Sequence, residues 1–191
     1  EVENRFMRTF ILILAAFLTA CTPPAPPAAR EGSPRTESTP KATDAAQRDS
    51  GRVTGCHDGD TIKVLLDGTE TSIRLEGIDS PELGQPYGRN SKEALSGLIF
   101  GKVVTLKETG KPDRYGRKIA RIFLDGADVN LQMVRQGFAW HFTTYSKERA
   151  LADAEKEARS AARGLWAEPE PVAPWDWRKS ERERHASKPK K

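Results

Sequence analysis

Apolar and polar residues alternate in short runs from Arg52 to Leu124, and they recur at helical spacing from Tyr87 to Phe100 and again beyond Val129. The chain therefore reads as strands interleaved with helices. Arg52–Leu66 reads as two strands or one long bent one, interrupted by His57-Asp58-Gly59-Asp60-Thr61, where Asp-Gly between β-branched segments signals a turn. Asp67-Gly68 is the next hairpin signal and leads into Thr71–Ile78. There Ile73 and Leu75 alternate with Arg74 and Glu76, which sends the aliphatic side chains to a core and turns Arg74 toward a cavity or solvent. Pro81 fixes its own φ and drives Ser80 out of helical space, so the chain must bend between Asp79 and Glu82. Tyr87–Phe100 carries Ala94, Leu95, Leu98 and Ile99 at helical spacing and is ended by Gly101. Lys102–Glu108 reads as a strand with Val103 and, after a register break, Leu106 pointing inward, and Lys118–Leu124 reads as another strand. Asp125-Gly126 turns into a helix over Val129–Gln136, capped by Gly137. After the aromatic-rich Phe138–Tyr145, the last helix of the pattern runs over Lys147–Ala162, with Leu151, Ala154, Ala158 and Ala161 on one face, and stops before Gly164.

The flanks have a different texture. Met7 reads as the initiator, and Phe10–Ala20 is an apolar run with the length of a secretory core, too short for a bilayer span. It ends in Leu18-Thr19-Ala20-Cys21, which resembles a bacterial lipoprotein signal with Cys21 as the lipidated residue; plain secretion with cleavage near Ala20 is the alternative. The Pro-, Ala-, Ser- and Thr-rich stretch that follows has too little apolar surface to offset its chain entropy and reads as a tether. The expected organisation is a signal over 1–20, a tether over 21–50, one domain over 51–168, and an appended Pro/Trp segment with a charged tail over 169–191, disordered from Ser180 onward. For Trp175-Asp176-Trp177 the expectation is aromatic docking on the domain.

Composition narrows the chemistry. The formal net charge of +4 is a mild bias toward polyanionic partners. His57, His141 and His185 lie far apart, and the cysteines are Cys21 and Cys56, so no Cys/His cluster has zinc spacing. With Cys21 lipidated, Cys56 is left unpaired and is expected to be a small, inert hydrophobe.

Arg74-Leu75-Glu76-Gly77-Ile78-Asp79-Ser80-Pro81-Glu82 brings a guanidinium and carboxylates through a strand and a tight bend. Asp60 and Asp79 fall at the same end of an antiparallel pair, where two carboxylates repel unless something positive sits between them. Lys111-Pro112-Asp113-Arg114-Tyr115-Gly116-Arg117 is a basic turn that opens the Lys118 strand, which lets Arg117 reach the cavity that Arg74 faces. Hard-cation ligands beside paired arginines are the equipment of metal-assisted phosphodiester hydrolysis.

In order and approximate spacing, Asp58-Gly59-Asp60-Thr61, Arg74-Leu75 with Asp79-Ser80-Pro81-Glu82, Asp113-Arg114-Tyr115-Gly116-Arg117, Asp125-Gly126 with Val129-Asn130, Arg135-Gln136-Gly137 and Leu165-Trp166 resemble the staphylococcal nuclease (thermonuclease) family. The resemblance covers essentially the whole domain and implies an α+β fold, a five-stranded OB-type β-barrel with three helices. It further implies Asp60, Asp79 and the Ser80 carbonyl as Ca2+ ligands, and Glu82 as the group that activates or positions the attacking water. Arg74 and Arg117 become phosphate clamps, and Arg114, Tyr115 and Tyr145 become substrate contacts. Asp58 becomes an outer carboxylate and Asn130 a structural residue. The chain departs from the pattern in having Ser80 for the usual threonine, a shorter loop over Glu82–Gly88, and Thr143 where one stacking tyrosine is expected.

The resemblance implies a monomeric, calcium-dependent endonuclease that hydrolyses DNA and RNA with little sequence preference and leaves 3′-phosphate ends. It would act in the bacterial cell envelope, bound to membrane through the lipid on Cys21, and no protein partner is implied. The rivals are a non-catalytic OB-type nucleic-acid-binding module, which typically loses the acidic and arginine set retained here, and a calcium-binding envelope protein, for which two paired arginines have no purpose.

Overall fold

The computed structural model describes residues 49–187. The elements are β1 (Asp49–Cys56), β2 (Thr61–Leu66), β3 (Thr69–Leu75), β4 (Ile78–Asp79), α1 (Gly88–Ile99), β5 (Val103–Glu108), β6 (Lys118–Leu124), β7 (Ala127–Asp128), α2 (Val129–Arg135), β8 (Trp140–His141), α3 (Arg149–Ser160), a 3-10 turn (Gly164–Ala167) and α4 (Pro174–Ala186). The sheet runs β3-β2-β1-β5-β6-β7 and closes on itself through a parallel β3–β6 pairing, Ile73↔Lys118 to Leu75↔Ala120. The result is a closed five-stranded barrel of the OB type, with β4 paired separately to β8.

Local chemistry accounts for most of the strand order. Asp67 and Gly68 both have positive φ, 46° and 79°, the two-residue hairpin whose backbone twist matches that of its flanking strands. Gly59 behaves differently. Its backbone is ordinary, but a Cβ there would lie 2.7 Å from Ser91 Cβ and 2.8 Å from Ser80 Cβ, so the residue is glycine because three segments converge on it. The Asp58-Gly59 pair is thus a packing point in the wider β1–β2 loop rather than the tight turn itself.

Ile62, Val64, Ile73, Leu75, Leu95, Ile99, Leu106, Ile122, Met133 and Leu151 fill the barrel and bury the inner faces of α1, α2 and α3. Asn130 sits in this core with no exposure. Its side chain accepts from the Ile122 N–H at 3.1 Å and donates to the Glu76 carbonyl at 2.8 Å, tying α2 to β6 and to the end of β3. Asp128 caps α2 by accepting from Leu131 N at 2.9 Å, and the buried Arg121 ties Asp128 to Glu148 at the start of α3.

Several expectations are corrected. Val103 is 55% exposed and it is Val104 that joins Leu106 inside, because β5 pairs with β1 as Val104↔Gly51 and its inward set is continuous, without a register break. Ala161 is exposed, since α3 ends at Ser160. β1 runs from Asp49, the first described residue, where it pairs with Leu106. A fourth helix is present as well: Ser180–Ala186 is not disordered but completes α4. Pro174 at its first position, Asp176 in its first turn and Arg184 and His185 in its last complement the helix dipole. The aromatic docking expected for this segment is seen: Trp175 lies parallel to Phe142, ring centres 5.4 Å apart, and edge-on to Trp140 at 5.5 Å.

Candidate active site

A cleft of about 880 Å³ opens at one end of the barrel and is lined by Asp60, Arg74, Asp79, Ser80, Glu82, Arg114, Tyr115, Arg117 and Tyr145, which are all the site residues expected from the sequence within the described region. Cys21 lies outside the described residues.

The floor is acidic and buried. Asp60, at the mouth of β2, and Asp79, in β4, are 4% and 1% exposed. Asp60 accepts hydrogen bonds from Ser80 N at 2.6 Å and the Thr61 hydroxyl at 3.1 Å, and its own N–H donates to Asp58 at 3.0 Å. Arg74 leaves β3 on the face opposite Ile73 and Leu75, as alternation requires, and its Nη2 lies 3.1 Å from Asp60 and 2.9 Å from Asp79. One positive nitrogen therefore bridges the two carboxylates whose repulsion the sequence posed. Burial, followed by the charge of Asp60, pushes Asp58 up to about 6. Burial also raises Asp79, with the Arg178 hydrogen bond pulling the other way.

Arg117 reaches the same cleft from the start of β6, which pairs with β3. Its Nε donates to Asp113 Oδ2 at 2.7 Å, and its Nη1 lies 3.3 Å from the Thr61 hydroxyl. Asp113 also accepts from the N–H groups of Tyr115 and Arg117 at 2.9 and 3.0 Å, so the charged turn is built around one carboxylate. Burial works against the Asp113 charge, but these bonds, the Arg117 side chain's first, more than offset it and hold its carboxyl below the ordinary value. Arg114 and Arg117 both lie over the Tyr115 ring, 4.8 and 5.3 Å from its centre. Tyr115 and Tyr145 line the cleft and are 68% and 77% exposed.

One residue at the site escaped the sequence reading. Arg178, on α4, donates from Nη2 to Asp79 Oδ2 at 2.7 Å and from Nη1 to Glu82 Oε1 at 2.8 Å. The only local signal for it is a basic residue one helical turn beyond a Pro-Trp pair, and that says nothing of where the helix docks.

The family model for staphylococcal nuclease homologues matches residues 72–168, and an "uncharacterized endonuclease" of Haemophilus influenzae is 38% identical over 182 residues, 95% of this chain and 89% of that relative. The chain belongs to the staphylococcal nuclease family. An "uncharacterized endonuclease" of Escherichia coli O157:H7 is 43% identical over 129 residues, 67% of this chain and 84% of the relative. A "probable staphylococcal-like nuclease" of Oryza sativa is 46% identical over 110 residues, 58% of this chain, and the chain spans only 33% of that plant relative's length. A second plant relative, from Capnoides sempervirens, is likewise matched over 32% of its length.

The staphylococcal nuclease resemblance brings a calcium ion with it, and the donor set fits one. Oxygens of Asp60 and Asp79 lie within 3.1 Å of a single Arg74 nitrogen, so the two carboxylates face one point in the cleft floor. Among the described residues no group of three or more His, Cys, Asp or Glu side chains gathers around a metal position. Asp60 and Asp79 are the two carboxylates that would hold such an ion, and the Ser80 carbonyl is the further oxygen that the resemblance implies.

Proposed function

We propose that this protein is a calcium-dependent nuclease that hydrolyses phosphodiester bonds in DNA and RNA with low sequence preference and leaves 3′-phosphate ends. The observation that carries the reading is the meeting of Asp60, Asp79 and Glu82 with Arg74 and Arg117 in one cleft, delivered by segments far apart in sequence. Arg74 and Arg117 line the same cleft, so a phosphate bound there would receive guanidinium donors from both, and those bonds strengthen as charge builds on its oxygens in the transition state. Glu82 lies at the edge of the same cleft, and its carboxylate would take a proton from the attacking water. Asp60, Asp79 and the Ser80 carbonyl would hold the calcium, which when bound would supply Lewis-acid charge at the phosphate. Tyr115 and Tyr145 offer rim surfaces on which bases stack whatever their identity, which supports low sequence preference, and Arg114 adds a cation beside them.

A lipid anchor at Cys21 would hold the enzyme at the cell envelope, acting as a monomer, and the +4 charge would favour its polyanionic substrate.

The test is turnover of DNA and RNA in calcium and in excess chelator, by the wild type and by Arg74→Ala, Arg117→Ala and Glu82→Gln. Activity is expected to vanish with chelator and kcat to fall by about 10²-fold or more in each variant, with circular dichroism unchanged. Wild-type kcat in the variants, full activity in chelator, or DNA binding without any turnover would overturn the reading.

A further inference from the structure

The C-terminal helix is seated so that it puts a charge into the cleft. Ala173 and Pro174 are buried, Gln85 donates to the Val172 carbonyl at 2.6 Å, and Trp175 stacks on Phe142, so the start of α4 is held on the barrel. Arg178 lies one turn beyond Pro174 on the same helix face. From there Nη2 reaches Asp79 Oδ2 at 2.7 Å, and Nη1 reaches Glu82 Oε1 at 2.8 Å and Asp79 Oδ1 at 3.3 Å. Among the described residues these carboxylates are its only hydrogen-bond partners. Asp60, Asp79 and Glu82 are thus matched by two guanidiniums, and the two are not alike. The Arg74 side chain is 14% exposed and also donates to the Leu75 carbonyl at 2.9 Å, whereas the Arg178 side chain is 35% exposed and opens to solvent. Only Arg178 can leave the carboxylates without being dragged from the protein interior.

We propose that Arg178 is a metal-competing residue: its guanidinium and a divalent cation take Asp79 in turn, so that metal entry displaces Arg178 and releases Glu82 from its ion pair. The proposal rests on the metal reading given above. A guanidinium and a cation sharing Asp79's oxygens repel each other at contact distance, and withdrawal into solvent costs Arg178 less than it would cost Arg74. Glu82 Oε1 accepts from Arg178 in the paired arrangement and becomes available to water in the other. Metal affinity is reduced by the fraction of molecules in which Arg178 is paired, and a tenth left open weakens it about tenfold.

Calcium alone, titrated calorimetrically into the full chain, tests this on the wild type, Arg178→Ala, Arg178→Gln, Arg178→Lys and Asp79→Asn. Arg178→Ala and Arg178→Gln are expected to bind calcium about three- to tenfold more tightly than wild type, with Arg178→Lys between. The calcium-induced rise in Tm should be larger in those two variants than in the wild type, a readout independent of turnover. Arg178→Gln keeps hydrogen-bonding capacity without the charge and decides the matter if Arg178→Ala does not fold. Unchanged or weaker calcium binding in the neutral variants overturns the proposal, and if KM for single-stranded DNA rises with it, Arg178 grips substrate instead. Calcium binding lost in Asp79→Asn but indifferent to Arg178 leaves the metal reading intact and refutes this one. Absence of binding by wild type and variants alike refutes both.

Discussion

Asp58→Asn tests the electrostatics of the cleft floor without touching a group assigned to the chemistry. Asp58 is largely buried, and its carboxyl is pushed from an ordinary 3.8 to about 6, first by burial and then by the Asp60 charge. A carboxyl whose pKa is raised by folding favours the folded state while protonated. That contribution is complete below about 3.8 and is lost as pH rises through about 6, so the part of wild-type stability that comes from Asp58 should decline across this window and level off above it. The full gap corresponds to about 3 kcal/mol, and partial solvent contact reduces it to about 1–2 kcal/mol. Asparagine retains an oxygen to accept from the Asp60 N–H, now 3.0 Å from Asp58 Oδ1, and carries no charge at any pH. The cost of burying its amide is the same throughout, so only the pH-dependent part of the difference reports on Asp58. Urea unfolding followed by tryptophan fluorescence in metal-depleted buffer, at intervals from about pH 3.5 to 7.5, should show the variant gaining on wild type by about 1–2 kcal/mol between the two ends. A difference that is flat with pH, or that grows toward acid, refutes the reasoning.

Tyr115→Phe keeps the stacking face and should leave KM for single-stranded DNA within about twofold, whereas Tyr115→Ala should raise it about tenfold or more; steady-state kinetics on oligonucleotides decide, and equal KM values for the two variants would exclude stacking. Trp175→Ala removes the contacts to Phe142 and Trp140 and should raise amide exchange selectively over residues 174–186, with the barrel strands unaffected, as read by hydrogen-exchange mass spectrometry. Protection of α4 that is indifferent to Trp175 would mean that the helix is held by something else. Cys21→Ser should move the protein from the membrane fraction to the soluble one with specific activity unchanged, because the segment between Cys21 and the domain separates lipid from barrel; a wild-type protein that is already soluble and carries no lipid would overturn the anchor.

The sequence by itself determined what is local. Asp67-Gly68 can be read as a hairpin because two adjacent positive φ values are a property of the dipeptide and its flanking strands. Arg74 can be read as turned away from Ile73 and Leu75 because alternation has a period of two residues. Residue type and order at Asp60, Asp79, Glu82 and Arg117 sufficed to nominate the site, since calcium and phosphate chemistry accept few side chains. Tertiary structure alone decided what depends on register and docking. The inward choice of Val104 over Val103 follows from pairing with β1, and a one-residue change of register would reverse it. Closure of the barrel depends on Ile73 meeting Lys118, and it is this pairing that brings Arg117 within reach of Thr61. Gly59 owes its identity to Ser80 and Ser91 arriving beside it, which no local pattern announces. Arg178 is the clearest case: its own segment reads as an appended Pro/Trp stretch leading into a charged tail, and it is the docking of that segment, Trp175 against Phe142 among its contacts, that aims the guanidinium at Asp79 and Glu82. Hydrophobic period and turn chemistry extend over a few residues, whereas these contacts arise only once separate elements are packed together and the entropy of closing the chain between them has been overcome.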